Sequence, residues 1–265
     1  MTAFTGSARA YRAYRPGLPA PVVDLLAESV STTPWPALLD LGTGTGQVPA
    51  ALHPIVSRID LVEPDADMLA EAERRLRPRL GDTPLRTHHC RAEELSAPEP
   101  GYRADLITAC RSWHWVDQPR APALLAGLAA DAATFAIMGD GSLWTARSAW
   151  TEALRALIQT YLGAERQAGA HGTYREPGRP YAHVLAESAF SPVEEHTFAT
   201  PRQWSADQVL GYLRSSSFAA PGLFGDRHTA FEAEARSLLD SHTDRDGLIE
   251  EAVFTVLLAR RPRPA

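Results

Sequence analysis

The stretch from Leu39 to Val48 constrains the fold of this chain more than any other part of the sequence. An apolar run that includes Asp40 is followed by glycines at the alternate positions 42, 44 and 46, and a short helical pattern comes next. This order is typical of a buried strand that passes through a tight turn into a helix. Glycine in such a turn lets the backbone approach a bound nucleotide closely. The stretch therefore predicts an α/β fold with a nucleotide site.

Strands and helices alternate on both sides of this turn. Apolar segments predict seven strands, at residues 37–41, 58–62, 85–90, 104–110, 134–138, 193–199 and 251–259. Helical periodicity lies between the first five, as at 65–77, where Asp65 is placed to cap the helix. This spacing predicts a doubly wound, mostly parallel, seven-stranded Rossmann-like sheet.

The regular alternation ends near residue 140. A helix, a loop rich in glycine, proline and arginine, and further helices follow before the apolar last segment, which we expect to return to the main sheet. We therefore assign residues 1–145 and 246–265 to a cofactor-binding core. Residues 146–245 are assigned to an inserted helical cap that selects the substrate and contributes a strand near 193–199.

Composition argues against several kinds of partner. The net charge is −6, and nucleic-acid binding requires clustered cations that this chain does not concentrate. No stretch is long and apolar enough to span a bilayer, and the first residues lack the apolar core of a secretory signal, so we expect a cytoplasmic protein without a membrane partner.

The cysteines and histidines of the third predicted strand do not indicate a metal site. His88, His89 and Cys90 are adjacent, and adjacent residues of a strand point to opposite faces of the sheet. Cys90 and Cys110 each lie in a predicted strand, which favours two free thiols over a disulfide. No bound metal is expected.

Three features converge at the carboxyl ends of the first three strands, where an open parallel sheet binds its ligand. They are the glycine turn, Glu63 and the pair Ala92-Glu93. The Glu63 carboxylate can accept hydrogen bonds from both ribose hydroxyls, and Glu93 or the backbone beside it is placed to contact the adenine edge. A nicotinamide-binding turn would require glycine in place of Gln47, which makes a nicotinamide oxidoreductase the least favoured alternative.

With these motifs the chain resembles the class I S-adenosylmethionine-dependent methyltransferases, and among them the small-molecule enzymes related to trans-aconitate methyltransferase. The matching stretches are residues 11–16, 39–46, 61–64 with Met68, 92–94, 104–115 and the last strand. The resemblance implies S-adenosylmethionine as cofactor. The cofactor-binding residues that it implies are Tyr11, Arg15, Asp40, Gly42, Thr43, Gly44, Gly46, Glu63, Pro64, Met68, Ala92, Glu93 and Cys110.

The segment after the fourth strand supplies the candidate for chemistry. His114 lies between Trp113 and Trp115, and its ordinary pKa near neutrality suits a general base for a hydroxyl or carbon acceptor. The alternative is that His114 lines the pocket or bonds to the backbone. Both tryptophans are candidate walls of the substrate pocket, although either could belong to the core.

Aromatic and basic residues before the first predicted helix form another candidate. Tyr11, Tyr14 and Arg15 are close in sequence and could close over an anionic group of a ligand, with a frayed surface helix as the alternative. Trp144 is a candidate pocket residue among the aromatic residues of the cap.

Together these features predict methyl transfer to a small organic molecule, and the biosynthesis of a specialised metabolite is the setting that we expect. Two alternatives remain open. One is an enzyme of the same fold that keeps the cofactor for structure and catalyses a cyclisation or rearrangement. The other is a non-catalytic protein that binds a small molecule.

Overall fold

A computed structural model of the protein describes residues 6–168, 172–174 and 178–261. Its main sheet has seven strands in the order β3-β2-β1-β4-β5-β9-β6. The strands are β1 Ala37–Leu41, β2 Arg58–Val62, β3 Leu85–His88, β4 Ala104–Cys110, β5 Ala129–Asp140, β6 Val193–Ala199 and β9 Val253–Arg260. The first five strands pair in parallel, which confirms the predicted Rossmann-like sheet.

Ten helices are present in the described residues, together with short 3₁₀ turns. The helices are α1 Ala8–Tyr14, α2 Ala20–Ser29, α3 Gln47–Leu52, α4 Ala66–Leu80, α5 Ala121–Leu128, α6 Ala149–Leu162, α7 Tyr181–Ala186, α8 Ala206–Arg214, α9 Pro221–Phe224 and α10 His228–His242. The turns are His53–Ile55, Ala92–Glu94, Trp113–Trp115 and Gly225–Arg227.

Four of the seven strands have the bounds that the sequence predicted. β1, β2, β4 and β6 have the predicted limits. β3 ends at His88, two residues early, because the chain then turns toward the 3₁₀ turn at Ala92–Glu94. β5 is longer than predicted, since α5 ends at Leu128 and Ala129 already pairs with Ala104.

The central strands are buried on both faces. All five residues of β1 are buried, and Leu38, Leu39 and Leu41 have no exposed area. A strand covered by helices on both faces reads as a continuous apolar run, so Asp40 in this run is the exception that requires a function or a partner.

The described chain divides into two compact units. The sheet unit contains Gly17–Gly139, Glu176–Phe198 and Thr255–Ala265, and the cap unit contains Met1–Pro16, Asp140–Arg175 and Ala199–Phe254. These limits differ from the predicted boundaries in four places. Residues 6–16, 140–145 and 246–254 lie in the cap unit, and residues 178–198 lie in the sheet unit.

A contact within the cap unit explains why residues 6–16 belong to it. The Tyr14 ring of α1 packs on Gly211 of α8, where a Cβ would lie 2.4 Å from the ring. The cap unit also contains a two-stranded antiparallel sheet, β7 Arg202–Trp204 with β8 Leu248–Glu250, which the sequence did not predict. Strands of three residues are too short to show a period. No helix in the described parts of the chain combines the length and apolarity needed to cross a membrane.

Candidate cofactor site

The glycine turn after β1 adopts a backbone that other residues would strain. Gly42, Gly44 and Gly46 have φ of 63°, 54° and 74°. A Cβ at Gly42 would lie 2.4 Å from the Cβ of Ser112, and one at Gly46 would lie 3.1 Å from the Cβ of Ala72. The alternate glycines therefore allow the turn to lie directly against the segment after β4 and against α4.

Asp40 is held at the end of β1 by two threonine hydroxyls. Thr43 donates to its Oδ2 and Thr108 to its Oδ1, each at 2.6 Å. Thr108 is the residue opposite Asp40 on β4, so the strand register creates this contact. Burial raises the pKa of Asp40 to about 6, against the opposing effect of the two hydroxyl donors.

Glu63 fixes the position of the glycine turn. Its Oε2 accepts from the Gly44 N–H at 2.9 Å, and its Oε1 accepts from the Asp65 N–H at 3.0 Å. Burial raises the pKa of Glu63 to about 7, the two backbone donors lower it, and the neighbouring Asp65 and Asp40 charges raise it further. Each carboxylate oxygen has a second lone pair, so Glu63 can still accept from a ligand.

The residues expected near adenine are placed by α4 and by the turn after β3. Asp65 caps α4, as predicted, by accepting from the Asp67 and Met68 N–H groups at 3.1 Å. Met68 is buried, Ala92 is buried in the 3₁₀ turn, and Glu93 is partly buried beside Arg91 at 3.4 Å. Pro64 is exposed, and its carbonyl contacts His89 Nε2 at 3.1 Å.

The segment after β4 packs against the end of β1 and the start of the glycine turn. The Ser112 hydroxyl donates to the Leu41 carbonyl at 2.7 Å, and Arg111 has an unusual positive φ of 56°. This bend begins the 3₁₀ turn that carries His114, whose ring centre lies 4.8 Å from that of Trp115. His114 is therefore one short turn away from the glycine turn.

Trp113 differs from its two neighbours because it belongs to the core. Its side chain is 1% exposed and packs edge-on against Phe135 at 5.2 Å. The alternative that the sequence left open, a core tryptophan, fits this placement better than a wall of an open pocket. Cys110, at the end of β4, and Cys90 are both half-buried free thiols, in agreement with the sequence.

Four predicted site residues lie in the cap unit, so the sheet unit alone does not bring them to the cofactor turn. Arg15 donates to the Tyr212 hydroxyl, the Ser215 hydroxyl and the Ser215 carbonyl, each at 3.0 Å, and Tyr11 lies under its guanidinium. Tyr14 packs on α8, and Trp144 lies 5.6 Å from Phe218. The α1 segment is thus docked in the cap unit and is not a frayed helix.

Sequence reasoning missed two residues that shape the site, Thr108 and Ser112. Each contacts a residue about 70 positions earlier, and only the pairing of β1 with β4 brings them together. The sequence signal for Thr108 was a hydroxyl residue within an apolar strand. No group of three or more potential metal ligands occurs among the described residues.

Several polar groups surround the glycine turn. The turn has no side chain at three positions, two buried carboxylates adjoin it, and the buried Thr45 hydroxyl has no hydrogen-bond partner in the described chain. Residues 38–130 match the model of a methyltransferase domain. The match covers about a third of the chain and identifies this part of it as a methyltransferase domain.

Solved structures of similar fold span nearly the whole chain. A protein from Anaeromyxobacter dehalogenans assigned as a type II methyltransferase is 23% identical, with a TM-score of 0.62 over 95% of this chain and 98% of its own. The YcgJ protein from Bacillus subtilis is 13% identical, with a TM-score of 0.58 over 91% and 98%.

A third similar structure has a different reaction in its name. The (4+2)-cyclase SpnF is 16% identical, with a TM-score of 0.54 over 92% of this chain and 82% of its own. At these identities the likeness establishes the fold alone. None of the curated proteins matches the sequence.

Proposed function

We propose that this methyltransferase transfers the methyl group of S-adenosylmethionine to a small organic molecule. The observation that carries the proposal is the glycine turn held between two buried carboxylates, Asp40 and Glu63, inside the matched domain. Asp40 and the turn would hold the methionine part of the cofactor. Glu63 would hold the ribose, since its oxygens have acceptor capacity left.

Methyl transfer from a sulfonium is an in-line displacement, so the protein must align the acceptor atom, the methyl carbon and the sulfur in a water-poor site. The hydrogen bonds of Glu63 to the Gly44 and Asp65 N–H groups fix the turn before any ligand arrives. A preformed turn reduces the ordering that binding would otherwise require.

The base role of His114 is a separate part of the proposal. Its position on the turn after β4, immediately beyond the Ser112 contact with the glycine turn, supports a place near the transferred methyl group. His114→Ala should lower turnover and change its pH profile if His114 removes a proton from the acceptor. Unchanged turnover at saturating substrate across the pH range would exclude this role.

Calorimetry tests the cofactor part directly. S-adenosylmethionine should bind the purified protein, and Glu63→Ala should weaken binding about tenfold or more, because a buried charged acceptor is removed. Glu73→Gln, on the outer part of α4, is the matched control and should bind as the wild type does. Absence of binding, or equal binding by Glu63→Ala, contradicts the proposal.

A metabolite screen that detects S-adenosylhomocysteine would then identify the acceptor. The fold of the (4+2)-cyclase favours a second candidate, a cyclisation for which the cofactor is retained without being consumed. Turnover that requires the cofactor and yields no S-adenosylhomocysteine would support that candidate. A protein that binds the cofactor and turns over nothing in the screen would fit a non-catalytic binder.

A further inference from the structure

The residue that follows β4 has a backbone conformation that is unusual for an arginine. Arg111 has a φ of 56°, in the left-handed region that favours glycine. The other non-glycine residues of the described chain with a positive φ are Trp35, before β1, and Ala132, within β5. Of these residues, Arg111 alone directly follows the carboxyl end of a strand, at the edge where an open parallel sheet binds its ligand. Backbone strain of this kind occurs mainly at functional sites.

Contacts within the sheet unit fix the backbone and the stem of Arg111. Its N–H donates to the Met138 carbonyl at 2.9 Å, so it continues the pairing of β4 with β5. A Cβ built on Gly139, near the end of β5, would contact the Arg111 Cγ at 3.4 Å. The arginine stem therefore lies against Gly139, and the side chain as a whole is half-buried.

The order of the strands places Arg111 beside the proposed cofactor site and outside it. The glycine turn, Glu63 and Ala92 follow β1, β2 and β3, so the proposed cofactor covers the ends of these strands. β4 lies on the other side of β1, and β5 lies beyond β4. The hydroxyl of Ser112, next to Arg111, donates to the Leu41 carbonyl at 2.7 Å and holds this segment against the turn. An acceptor that meets the methyl group is therefore expected over the ends of β4 and β5.

A guanidinium at this edge suits a ligand with an oxyanion. It has five N–H donors in a planar fork, so an arginine that already contacts another group of the chain keeps donors for a ligand. A carboxylate or phosphate accepts two of these N–H groups side by side, which fixes the direction of the ligand as well as binding it. The half-buried position of Arg111 strengthens this interaction, because solvent and salt screen it less than at the surface.

We propose that Arg111 binds an oxyanion of the methyl acceptor, a carboxylate or a phosphate, and so selects anionic acceptors over neutral ones. An acceptor held in this way presents its nucleophilic atom toward the glycine turn, beside His114 of the following 3₁₀ turn. Arg111 binds and orients the acceptor and takes no part in the bond changes. This inference rests on the proposed function and adds a class of substrate to it.

Small anions test this site before the acceptor is known. The protein loaded with S-adenosylhomocysteine is titrated with benzoate, succinate and inorganic phosphate at constant ionic strength, and with benzamide and succinamide as neutral counterparts. At least one anion should bind, and the neutral compounds should bind about tenfold more weakly or not at all. Arg111→Gln should weaken binding of that anion about tenfold, and Arg111→Lys, which keeps the charge without the fork, should weaken it less.

Two further variants control for charge and for folding. Arg103→Gln is the matched control, since Arg103 is an exposed arginine directly before β4, at the opposite end of the same strand. It should bind the anions as the wild type does. Arg111→Gly should lose anion binding as Arg111→Gln does, and it should unfold at a urea concentration no lower than the wild type, because glycine adopts a positive φ without strain.

The outcomes separate this inference from the proposed function. If none of the anions binds, or if Arg111→Gln binds them as the wild type does, the inference is wrong and the cofactor site stands. An acceptor without a carboxylate or phosphate group, identified in the metabolite screen, would also overturn it. S-adenosylmethionine should bind the wild type and Arg111→Gln with affinities within about twofold of each other. If it binds neither, the proposed function fails, and titration of the unloaded protein with the same anions still tests Arg111.

Discussion

Two buried aspartates on adjacent strands, Asp40 of β1 and Asp60 of β2, have opposite surroundings. Asp60 is fully buried, and it contacts His88 Nε2 at 2.9 Å, the Tyr102 hydroxyl at 3.1 Å and Arg58 Nε at 3.4 Å. Asp40 is almost as deeply buried, and its partners are two threonine hydroxyls. Asp60 has basic neighbours, whereas the donors to Asp40 within the described residues are neutral hydroxyls.

The surroundings of Asp60 also act on its neighbours. The Arg58 guanidinium lies over the Tyr102 ring at 4.6 Å and bonds to the Arg103 carbonyl at 2.9 Å. Burial, followed by the Asp60 charge, raises the pKa of the Tyr102 phenol, which therefore remains a hydrogen-bond donor at neutral pH. His88, Tyr102 and Arg58 thus share the Asp60 carboxylate as a partner.

The largest expected effect comes from removing that carboxylate. Asp60→Ala leaves Tyr102, His88 and Arg58 without their shared acceptor, and the loss of a buried pair of this kind costs about 3–5 kcal/mol. Urea unfolding of the cofactor-free protein would measure the loss. A loss of stability below about 1 kcal/mol would show that the contacts of Asp60 with its neighbours contribute little to the stability of the fold.

Substitution of Arg202, in the cap unit, tests what happens when an acid that is paired with a cation loses that cation. Arg202 lies 3.4 Å from Glu250 and forms a short ion pair with Asp140, and both acids have side chains at most 5% exposed. Arg202→Met should cost about 2–4 kcal/mol at pH 8 because both acids lose a cation. Urea unfolding at pH 8 measures this loss. A loss below about 1 kcal/mol would show that Arg202 is not what compensates the two acids.

Asp40→Asn should raise the stability of the protein, whereas the two substitutions above lower it. The pKa of folded Asp40, about 6, lies above its ordinary value of 3.8. The folded protein therefore loses stability as the pH rises from about 4 to above 6, while the unfolded chain ionises freely. The asparagine variant avoids this cost and should be more stable than the wild type by about 1–3 kcal/mol at pH 8.

The advantage of Asp40→Asn should shrink as the pH falls through 6 toward 4. Thermal or urea unfolding of the cofactor-free proteins at several pH values would show the trend. A variant that is less stable than the wild type at pH 8 would mean that Asp40 is already compensated in the free protein.

The smallest effect is expected at a partly exposed acid. Glu73 pairs with Arg77 at 2.9 Å on the surface of α4, where the arginine side chain is 63% exposed. Glu73→Gln should change stability by less than about 0.5 kcal/mol, because solvent and salt screen such pairs. A larger change would weaken the use of this variant as a control for Asp40 and Glu63.

Much of the sheet unit could be predicted from local sequence. The strands β1, β2 and β4, the glycine turn and the Asp65 cap all follow from apolar runs, glycine spacing and capping preference, which act over a few residues. The cap unit was harder to predict. Its small β7–β8 sheet pairs residues 44 or more positions apart, and Arg15, directly after α1, donates to Tyr212 of α8 almost 200 residues later.

The sequence by itself determined the class of fold and the position of the glycine turn, because apolar runs and alternate glycines act through local backbone preferences. Only the tertiary structure decided how each acid is paired. The register of β1 with β4 gives Asp40 its threonine partner, and the arrangement of β2 with β3 gives Asp60 its histidine. Both are acids in apolar strands, and their electrostatic environments come from residues distant in sequence, which no local pattern encodes.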